Sequence, residues 1–434
     1  MTTTAPPSPP TEPSAVLSAA PPWRQTFVSL TVRNYRLFAG ANLVAMSAVW
    51  MQRIAQDWLA LELTGSTAAV GLMSALQFGP MLLFGLLGGV IVDRCRTRTL
   101  LMITQSLTLL TSASLAVVVL LGVVQIGHVF AAALLLGFVT VVDNPARQVF
   151  TGELVGPRLL PNAISLNSSG FQLGGIIGPA ASAVLLVSVG AGWSFAINAV
   201  ACASTVVALS RLRASEMHTR PRAPRRRGQL VEGLRYAAAK PAILWTIVIM
   251  GVLAVFAQNL PVLLAGFADH VFHAGAGGYG VFNTLVALGA LTGAILSTRR
   301  RTVRLRTVVL CALAYAVAQG TTSLLPGQAA FGVGLVVTGL GWLLFITCAN
   351  TLVQMSSNAG VRGRVMALYV LVLLGGQAVG GPVMGFVVEH LGARTGMLLS
   401  GAVPVVVIGV LAIVLTRRGL LARPDVHLRD TLPG

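Results

Sequence analysis

Gly174-Gly-Ile-Ile-Gly-Pro179 recurs in the second half of the chain as Gly375-Gly-Gln-Ala-Val-Gly-Gly-Pro382. Upstream, residues 144–148 match residues 350–354, with Asn first and Gln last in both, and one more apolar segment follows each Gly-Pro pair. Glycines inside long apolar segments are typical of helices that pack closely in a membrane. A chain built twice from one plan, with such segments in both copies, predicts a transporter made of two parallel halves.

The composition also indicates a membrane protein. The 434 residues are 55% hydrophobic and 10% charged, which suits a chain with many membrane spans. Apolar stretches of about 20 residues recur along it, and lipid offers their backbone no hydrogen-bond partner unless they form helices. We therefore expect an all-α membrane protein with twelve transmembrane helices in two pseudo-symmetric six-helix halves. The predicted spans are residues 37–61, 70–92, 99–122, 127–150, 162–188, 193–210, 242–266, 278–298, 307–325, 329–353, 365–388 and 395–416.

Polar segments divide the chain into two halves, a linker and two tails. The first six spans form an N-terminal half, residues 31–210, and the last six form a C-terminal half, residues 242–418. Residues 1–30 and 419–434 are predicted to be cytoplasmic tails, the first disordered because it is rich in Pro, Ser and Thr. Residues 211–241 form a basic cytoplasmic linker, in which one apolar face predicts a short helix at the membrane surface; a flexible linker is the alternative for its arginine run. That face consists of Leu230, Leu234, Ala237 and Ala238.

The net charge of +18 is concentrated in one set of connections. Of the 30 Lys and Arg residues, Arg53 lies inside a span and Arg394 between the last two spans, which leaves 28 at the termini or in alternate connections. This positive-inside pattern predicts that both termini are cytoplasmic. The basicity therefore indicates orientation and contact with anionic membrane lipids, and not nucleic-acid binding. Lys240 is the only lysine, and this arginine bias indicates a GC-rich genome such as that of an actinobacterium. We expect a multi-pass protein of a bacterial plasma membrane.

The connection after the second span reads Gly88-Gly-Val-Ile-Val-Asp-Arg-Cys-Arg-Thr-Arg98. It resembles the signature loop of the major facilitator superfamily, Gly-x-x-x-Asp-Arg-x-Gly-Arg-Arg, in which Gly89, Asp93, Arg94 and Arg98 match and an arginine replaces the second glycine. The resemblance implies the twelve-helix fold of that superfamily, and a loop that latches the two halves together in the outward-facing state. An acid at this position can accept hydrogen bonds from a facing helix N-terminus.

The Gly178-Pro179 pair in the fifth span resembles the antiporter signature of the same superfamily, which is characteristic of its exporters. Together with Gly174, Gly178 lies on a thin helix face that we expect to pack against a helix of the other half. Ordinary helix packing, without bearing on the direction of transport, is the alternative.

Two further stretches narrow the resemblance to one branch of the superfamily. Residues 50–66 close the first span and residues 143–148 close the fourth. Both look like the branch that contains enterobactin exporters and macrolide-efflux proteins. The likeness extends over about residues 30–418, and it does not identify the cargo.

Charged residues inside a membrane span are costly and mark functional sites by default. Arg53 and Asp57 stand four residues apart on one helix face, so they can pair. Asp57 is our first candidate for the proton-coupling group, with Arg53 beside it; a permanent structural ion pair is the alternative. Asp143, near the cytoplasmic end of the fourth span, is the second candidate.

Asp143 and Arg147 repeat the four-residue spacing. The resemblance implies that an acid at this position joins a charge network with the arginines after the second span, so we expect Asp143 to contact Arg94 or Arg98. The residues assigned to this cytoplasmic latch are Gly89, Asp93, Arg94, Arg98, Asp143 and Arg147.

Several spans carry apolar and amide side chains that would suit a large cavity for a bulky, partly polar organic molecule. For any one of them, packing between helices is the alternative. The candidates are Trp50, Gln52, Phe256, Gln258, Asn259, Asn283, Trp342, Phe345 and Gln377.

The sequence offers no signal for an enzyme or an ATP-driven pump. Lys240 is followed by Pro241, so no Walker loop is present. The four cysteines have no spacing that predicts a disulfide or a metal site, and no catalytic set is evident. We expect no cofactor apart from the proton gradient, and a monomeric protein.

Together these features predict a secondary active exporter of a small organic molecule (a drug, siderophore or secondary metabolite) by proton antiport with alternating access. An importer or uniporter of a sugar or other nutrient is the alternative. A membrane receptor or scaffold is a third hypothesis, but it predicts a sizeable extramembrane module that the short loops do not contain.

Overall fold

The computed structural model describes residues 27–218, 229–297, 303–358 and 361–421, and all regular secondary structure in these residues is helical. The predicted all-α membrane fold is confirmed. The helices are α1 Arg33–Thr64, α2 Thr67–Arg94, α3 Thr97–Leu120, α4 Ile126–Ser188, α5 Ala191–Ser210, α6 Gln229–Ala239, α7 Pro241–Phe256, α8 Leu260–Gly266, α9 Gly275–Ser297, α10 Leu305–Thr322, α11 Gln328–Met355, α12 Arg362–Leu391 and α13 Ala393–Arg417.

Gly156 divides α4 into two arms. It has φ 70° and ψ 176°, a backbone conformation that residues with a side chain rarely adopt, and Pro157 follows it. We call the parts of α4 before and after Gly156 the first arm and the second arm. Since α7, α8 and the turn Phe267–Val271 form one bent crossing, the described helices cross the molecule twelve times.

Ten of the described helical segments are long and apolar enough to cross a membrane, with α4 counted once. α1 is not among them, because Arg53, Asp57 and several amides lower its hydropathy. Polar groups at membrane depth need protein or water around them. The charged and amide residues of α1 are therefore candidates for a functional role.

Alternate connections lie on opposite faces of the molecule. The arginine-containing connections, for example those between α2 and α3 and after α5, lie on one side, which we call the basic face. The short turns between α1 and α2 and between α12 and α13 lie on the opposite face. Arg147, which the sequence pattern grouped with the connections, is instead a buried residue of the first arm.

The hydrophobic cores show how the two halves meet. One buried cluster at the opposite face contains side chains of both halves, such as Trp58 and Met73 with Phe267 and Met384. Toward the basic face each half has a separate cluster. These contain, among others, Phe38, Phe150 and Leu154 in the first half and Tyr315, Phe345 and Leu352 in the second. Because a shared core exists only at the opposite face of the described structure, the halves are joined there and separate toward the basic face.

Close backbone contacts seal the opposite face. The space that a Cβ would need at Gly71 of α2 is taken by the carbonyl oxygen of Gly381 of α12. Gly280 of α9 meets Ala183 of the second arm in the same way. Small residues allow helices to approach this closely in a membrane. The two halves thus contact each other along α2–α12 and along the second arm with α9.

The Gly-Pro segment of the first half packs inside its own half. A Cβ at Gly174 would lie 3.1 Å from the Cβ of Met46, and a Cβ at Gly178 would lie 2.5 Å from the Cβ of Trp50. Both neighbours belong to α1, so the expectation that this glycine face packs against the other half is wrong. The second arm turns Ala183, and not its glycines, toward the second half.

The Gly-Pro segment of the second half makes both kinds of contact. Gly376 and Gly380 lie against the α7 residues Ala254 and Val255, which repeats the packing of the second arm on α1. Gly381, one residue further on, lies against α2 of the other half, where a Cβ would stand 2.5 Å from the Cβ of Ser74. The repeated segments therefore share their contact within each half, while only the second copy adds a glycine contact across the halves.

The linker contains helix α6. Ala237 is buried against the core of the second half, whereas Leu234 and Ala238 are exposed. The Tyr236 hydroxyl accepts a hydrogen bond from the backbone N–H of Asn358 at 3.1 Å, which fastens α6 to the connection after α11. The Leu230 side chain and the arginine run of the linker lie outside the described residues, and a position at the membrane surface stays a prediction.

Candidate functional site

One side of α1 faces the interior of the first half. The Oε1 atom of Gln52 accepts hydrogen bonds from Ser112 Oγ of α3 at 2.8 Å and from Asn198 Nδ2 of α5 at 2.6 Å. Gln52 is only 2% exposed. The prediction that it lines a cavity is therefore wrong, because α3 and α5 supply partners that no local pattern reveals.

A different side of α1 carries its charged residues Arg53 and Asp57. Asn42, Met46, Arg53 and Asp57 recur at spacings of four, seven and four residues, which places them on one helix side. Asn42 contacts Arg147 of the first arm, and Met46 lies against the second arm. Further along the same side, Asp57 interacts electrostatically with Tyr279 of α9 in the second half. Arg53 lies against Phe78 of α2, the helix that contacts α12.

Asp57 lies at the junction of the halves with one weak hydrogen bond. It is 6% exposed and accepts from Gln77 Nε2 of α2 at 3.4 Å. The neighbouring Trp58 ring lies 5.6 Å from the ring of Tyr279 on α9, in the other half. Within the described residues, Asp57 makes no nitrogen–oxygen ion pair within 4.0 Å. Arg53 and Asp57 therefore interact electrostatically at longer range, and the alternative of a permanent structural ion pair is wrong in this structure.

Arg53 instead lies among aromatic rings. Its guanidinium carbon is 5.4 Å from the centre of the Trp50 ring and 5.2 Å from that of Phe78 on α2. The Trp50 ring packs edge-on against Phe171 of the second arm at 5.7 Å. Cation–π attraction stabilises an arginine in such a place. Both Arg53 and Trp50 remain partly exposed.

Asp143 and Arg147 form a buried ion pair, with 2.5 Å between Oδ2 and Nε. They are 8% and 6% exposed. Asp143 Oδ1 also accepts from Thr104 Oγ1 at 2.7 Å and from Gln105 Nε2 at 3.0 Å. Arg147 donates in turn to Asn42 of α1. This network joins α1, α3 and the first arm within one half.

The loop after α2 does not supply the expected partner of Asp143. Arg98 donates to the carbonyl oxygens of Leu209 and Ser210 at the end of α5, both at 2.9 Å. The prediction that Asp143 contacts Arg94 or Arg98 is therefore wrong, because Arg98 is held by the free carbonyls that every helix end leaves. Asp93 and Arg94 are exposed at the end of α2.

The close helix approach near this loop is made by a glycine next to the predicted one. The Val141 carbonyl oxygen of the first arm fills the place that a Cβ would take at Gly88. The superfamily pattern had directed attention to Gly89. Glu153, close by at the basic face, accepts from the side-chain hydroxyl of Thr97 at the start of α3, at 2.8 Å.

Two cavity candidates of the second half are buried in its core. Phe345 is fully buried, and the Trp342 ring lies 5.8 Å from it and 5.5 Å from Tyr315. Asn259 is 2% exposed, and its Nδ2 donates to the carbonyl oxygens of Ala254 and Val255 where α7 gives way to α8. The cavity role is wrong for Phe345 and Asn259, whose partners are core residues and a helix end.

The remaining candidates are partly exposed: Phe256, Gln258, Asn283, Trp342 and Gln377. Of these, Asn283 donates to the carbonyl oxygen of Tyr279 one turn earlier at 2.9 Å. Their contact with a cargo stays a prediction. In the described part of the chain, no group of three or more His, Cys, Asp or Glu side chains could hold a metal ion.

The structure adds a contact between the halves that no sequence pattern predicts. Glu389 of α12 caps the start of α2 across the opposite face. Its Oε2 atom accepts from the backbone N–H of Thr67 at 2.7 Å and of Ala68 at 3.3 Å. It also accepts from the hydroxyls of Ser66 and Thr67, at 3.1 and 3.0 Å. A carboxylate at a helix N-terminus is favoured by unpaired N–H groups and by the helix dipole.

We expect Glu389→Ala to loosen the opposite face, since it removes all four acceptor contacts between the halves at once. Ser74 of α2 lies next to Gly381 of α12, at the contact between the halves. When Ser74→Cys is combined with Glu389→Ala, the cysteine should react with a membrane-impermeant maleimide about tenfold faster than in Ser74→Cys alone. The measurement uses a background without the four native cysteines. Asp269→Ala, which removes an exposed acid on the same face, is the matched control. Equal labelling rates in both variants would exclude a lock at Glu389.

Comparison with known proteins agrees with this architecture. Residues 24–425 match the family model described as "Transmembrane secretion effector". Enterobactin exporter EntS of Escherichia coli O127:H6 is 26% identical over 338 residues, which are 74% of this chain and 77% of the relative. EntS of Shigella boydii serotype 18 gives the same values.

Solved transporter structures share the fold at low sequence identity. A bacterial homolog of the human lysosomal transporter Spinster, in an inward-facing and unoccupied conformation, covers 93% of this chain and 100% of its own, with 14% identity and a TM-score of 0.68. The nucleoside transporter NupG covers 88% and 98%, with 12% identity and a TM-score of 0.68. The family match extends over nearly the whole chain, so this protein belongs to the transmembrane secretion effector family of the major facilitator superfamily: it is a multi-pass transporter of the inner membrane, not an enzyme.

Proposed function

We propose that this transporter exports a small organic molecule from the cytoplasm in exchange for protons. The observation that carries the proposal is Asp57, a buried acid at the junction of the two halves with a single weak hydrogen bond. The family description and the exporter relatives support the direction. A siderophore or a drug-like compound is the class of cargo we propose.

The proposed orientation places the basic face in the cytoplasm. It rests on the excess of arginine in the connections of that face, which follows the positive-inside pattern. In this orientation the space between the halves is open to the cytoplasm, where an exported cargo must enter, and the sealed face is the outer one. Export then requires that the contacts along α2–α12 and along the second arm with α9 separate.

Asp57 suits proton carriage better than Asp143 does. Protonation of Asp57 disturbs only the Gln77 contact of 3.4 Å. Protonation of Asp143 would disturb a network that includes the 2.5 Å ion pair with Arg147 and two further hydrogen bonds. Proton exchange at Asp143 would have to break contacts that join three helices in every cycle. We therefore assign proton exchange to Asp57 and a structural role to Asp143.

The test uses purified protein in lipid vesicles with an imposed pH gradient. Enterobactin and a macrolide antibiotic serve as separate cargo probes. We expect at least one of them to cross the vesicle membrane in the direction opposite to the flow of protons. The flux should vanish when a protonophore removes the gradient. Movement that follows the cargo's own gradient and ignores the protonophore would instead support a uniporter and overturn the exchange.

A further inference from the structure

The rings of Trp50 on α1 and Phe78 on α2 flank one guanidinium group. We call these two rings the aromatic slot. The guanidinium of Arg53 occupies it, with its carbon 5.4 and 5.2 Å from the two ring centres. Phe171 supports the Trp50 ring from the second arm. Trp50, Arg53 and Phe78 are each partly exposed, so protein does not enclose the slot on all sides.

The Arg53 guanidinium has a second possible partner, the Asp57 carboxylate. Asp57 lies four residues further along the same side of α1, a spacing at which a carboxylate and a guanidinium can pair. The two places exclude each other, because one guanidinium cannot lie between the rings and also hold the carboxylate. In this structure Arg53 is in the slot and makes no ion pair with Asp57 within 4.0 Å.

Few charged groups compete for Asp57. On α1 the nearby charged group is Arg53, and on α9 the titratable group is Tyr279, which interacts electrostatically with Asp57. The contact from α2 is the neutral amide of Gln77. Among the described residues, Arg53 is thus the cation available to balance an ionised Asp57.

We propose that Arg53 and a planar aromatic group of the cargo compete for the aromatic slot, and that the proton on Asp57 decides between them. The inference rests on the proposed exchange of cargo for protons. When the Asp57 carboxyl gives its proton to water, the carboxylate draws the guanidinium out of the slot, and an aromatic ring takes its place between Trp50 and Phe78. When Asp57 takes up a proton, Arg53 returns to the rings and the cargo leaves.

This competition makes binding of cargo and binding of the proton mutually exclusive. One proton is released for each cargo molecule that enters the slot, and one is taken up when it leaves. Mutually exclusive binding at a shared site is what converts alternating access into exchange. It also selects the cargo by chemistry, since the slot accepts a flat aromatic ring in place of a guanidinium.

The test measures equilibrium binding of radiolabelled naphthalene-2-carboxamide, a flat neutral probe, to the purified full-length protein in lipid nanodiscs. In the wild type we expect binding to tighten at least about tenfold between about pH 5 and about pH 9, with proton release on binding. Arg53→Met should bind the probe at all pH values. Asp57→Asn should bind it weakly at all pH values, because Arg53 stays in the slot.

The decisive measurement is the double variant. Adding Arg53→Met to Asp57→Asn should restore probe binding, which a merely structural effect of Asp57→Asn would not do. Arg213→Met, which changes an exposed arginine at the basic face, is the control. Binding in the wild type that ignores pH, no binding in Arg53→Met, or no rescue in the double variant would each overturn the proposal. Because binding needs no gradient, failure of transport in vesicles would count against the exchange and not against the slot.

Discussion

Replacing Asp57 by Asn abolishes gradient-driven transport while the protein still folds. The amide has almost the same size as the carboxyl and can keep the contact with Gln77, but it cannot take up or release a proton. The initial rate with an imposed pH gradient should fall to that of vesicles without protein. Asp57→Glu, which keeps a titratable group one methylene further out, should retain part of the rate.

The matched control is Glu62→Gln. Glu62 lies on the same helix and is exposed near the opposite face, so its neutralisation tests whether any loss of negative charge on α1 impairs transport. We expect Glu62→Gln to transport at the wild-type rate. A pH gradient that drives transport equally well in wild type and Asp57→Asn would remove Asp57 from the coupling, and Asp143 would then be the next group to test.

The architecture was accessible from sequence because its signals are local and repeated. Long apolar segments, alternate arginine-rich connections and the two Gly-Pro segments each specify helices that cross a membrane. The sequence pattern also separated the two arms of α4, since residues 127–150 and 162–188 are distinct apolar stretches.

The partners of individual residues were less accessible, because they depend on helices far away in sequence. The spacing of four residues is the same in Arg53–Asp57 and in Asp143–Arg147, yet only the second couple forms an ion pair. Arg53 is held by Phe78 of another helix, which no pattern on α1 reveals.

Glycine-rich faces posed a similar problem. A thin helix face predicts a close neighbour but not which one: Gly174 and Gly178 lie against α1 of their own half, and Gly381 lies against α2 of the other. The contact of Glu389 with the start of α2 depends on the assembled halves in the same way. The partners of Glu389, the first residues of α2, are 321 to 323 positions away in sequence, so their meeting becomes evident only once the halves are assembled.

Breaking the Asp143–Arg147 pair on one side destabilises the protein strongly, and removing both partners costs less than the sum. Either Asp143→Asn or Arg147→Met leaves a buried charge without its counter-ion, which costs about 3–5 kcal/mol of the free energy of unfolding. The double variant buries no unpaired charge. Unfolding in mixed micelles, followed by circular dichroism, would give the coupling energy as the departure from additivity.

The exposed pair Arg213–Glu216, with side chains 60% and 40% exposed, is the control cycle and should show a coupling below about 1 kcal/mol. Additive effects at Asp143 and Arg147 would mean that the network of α1, α3 and the first arm does not depend on their charges, and Asp143 would again be a candidate for carrying the proton.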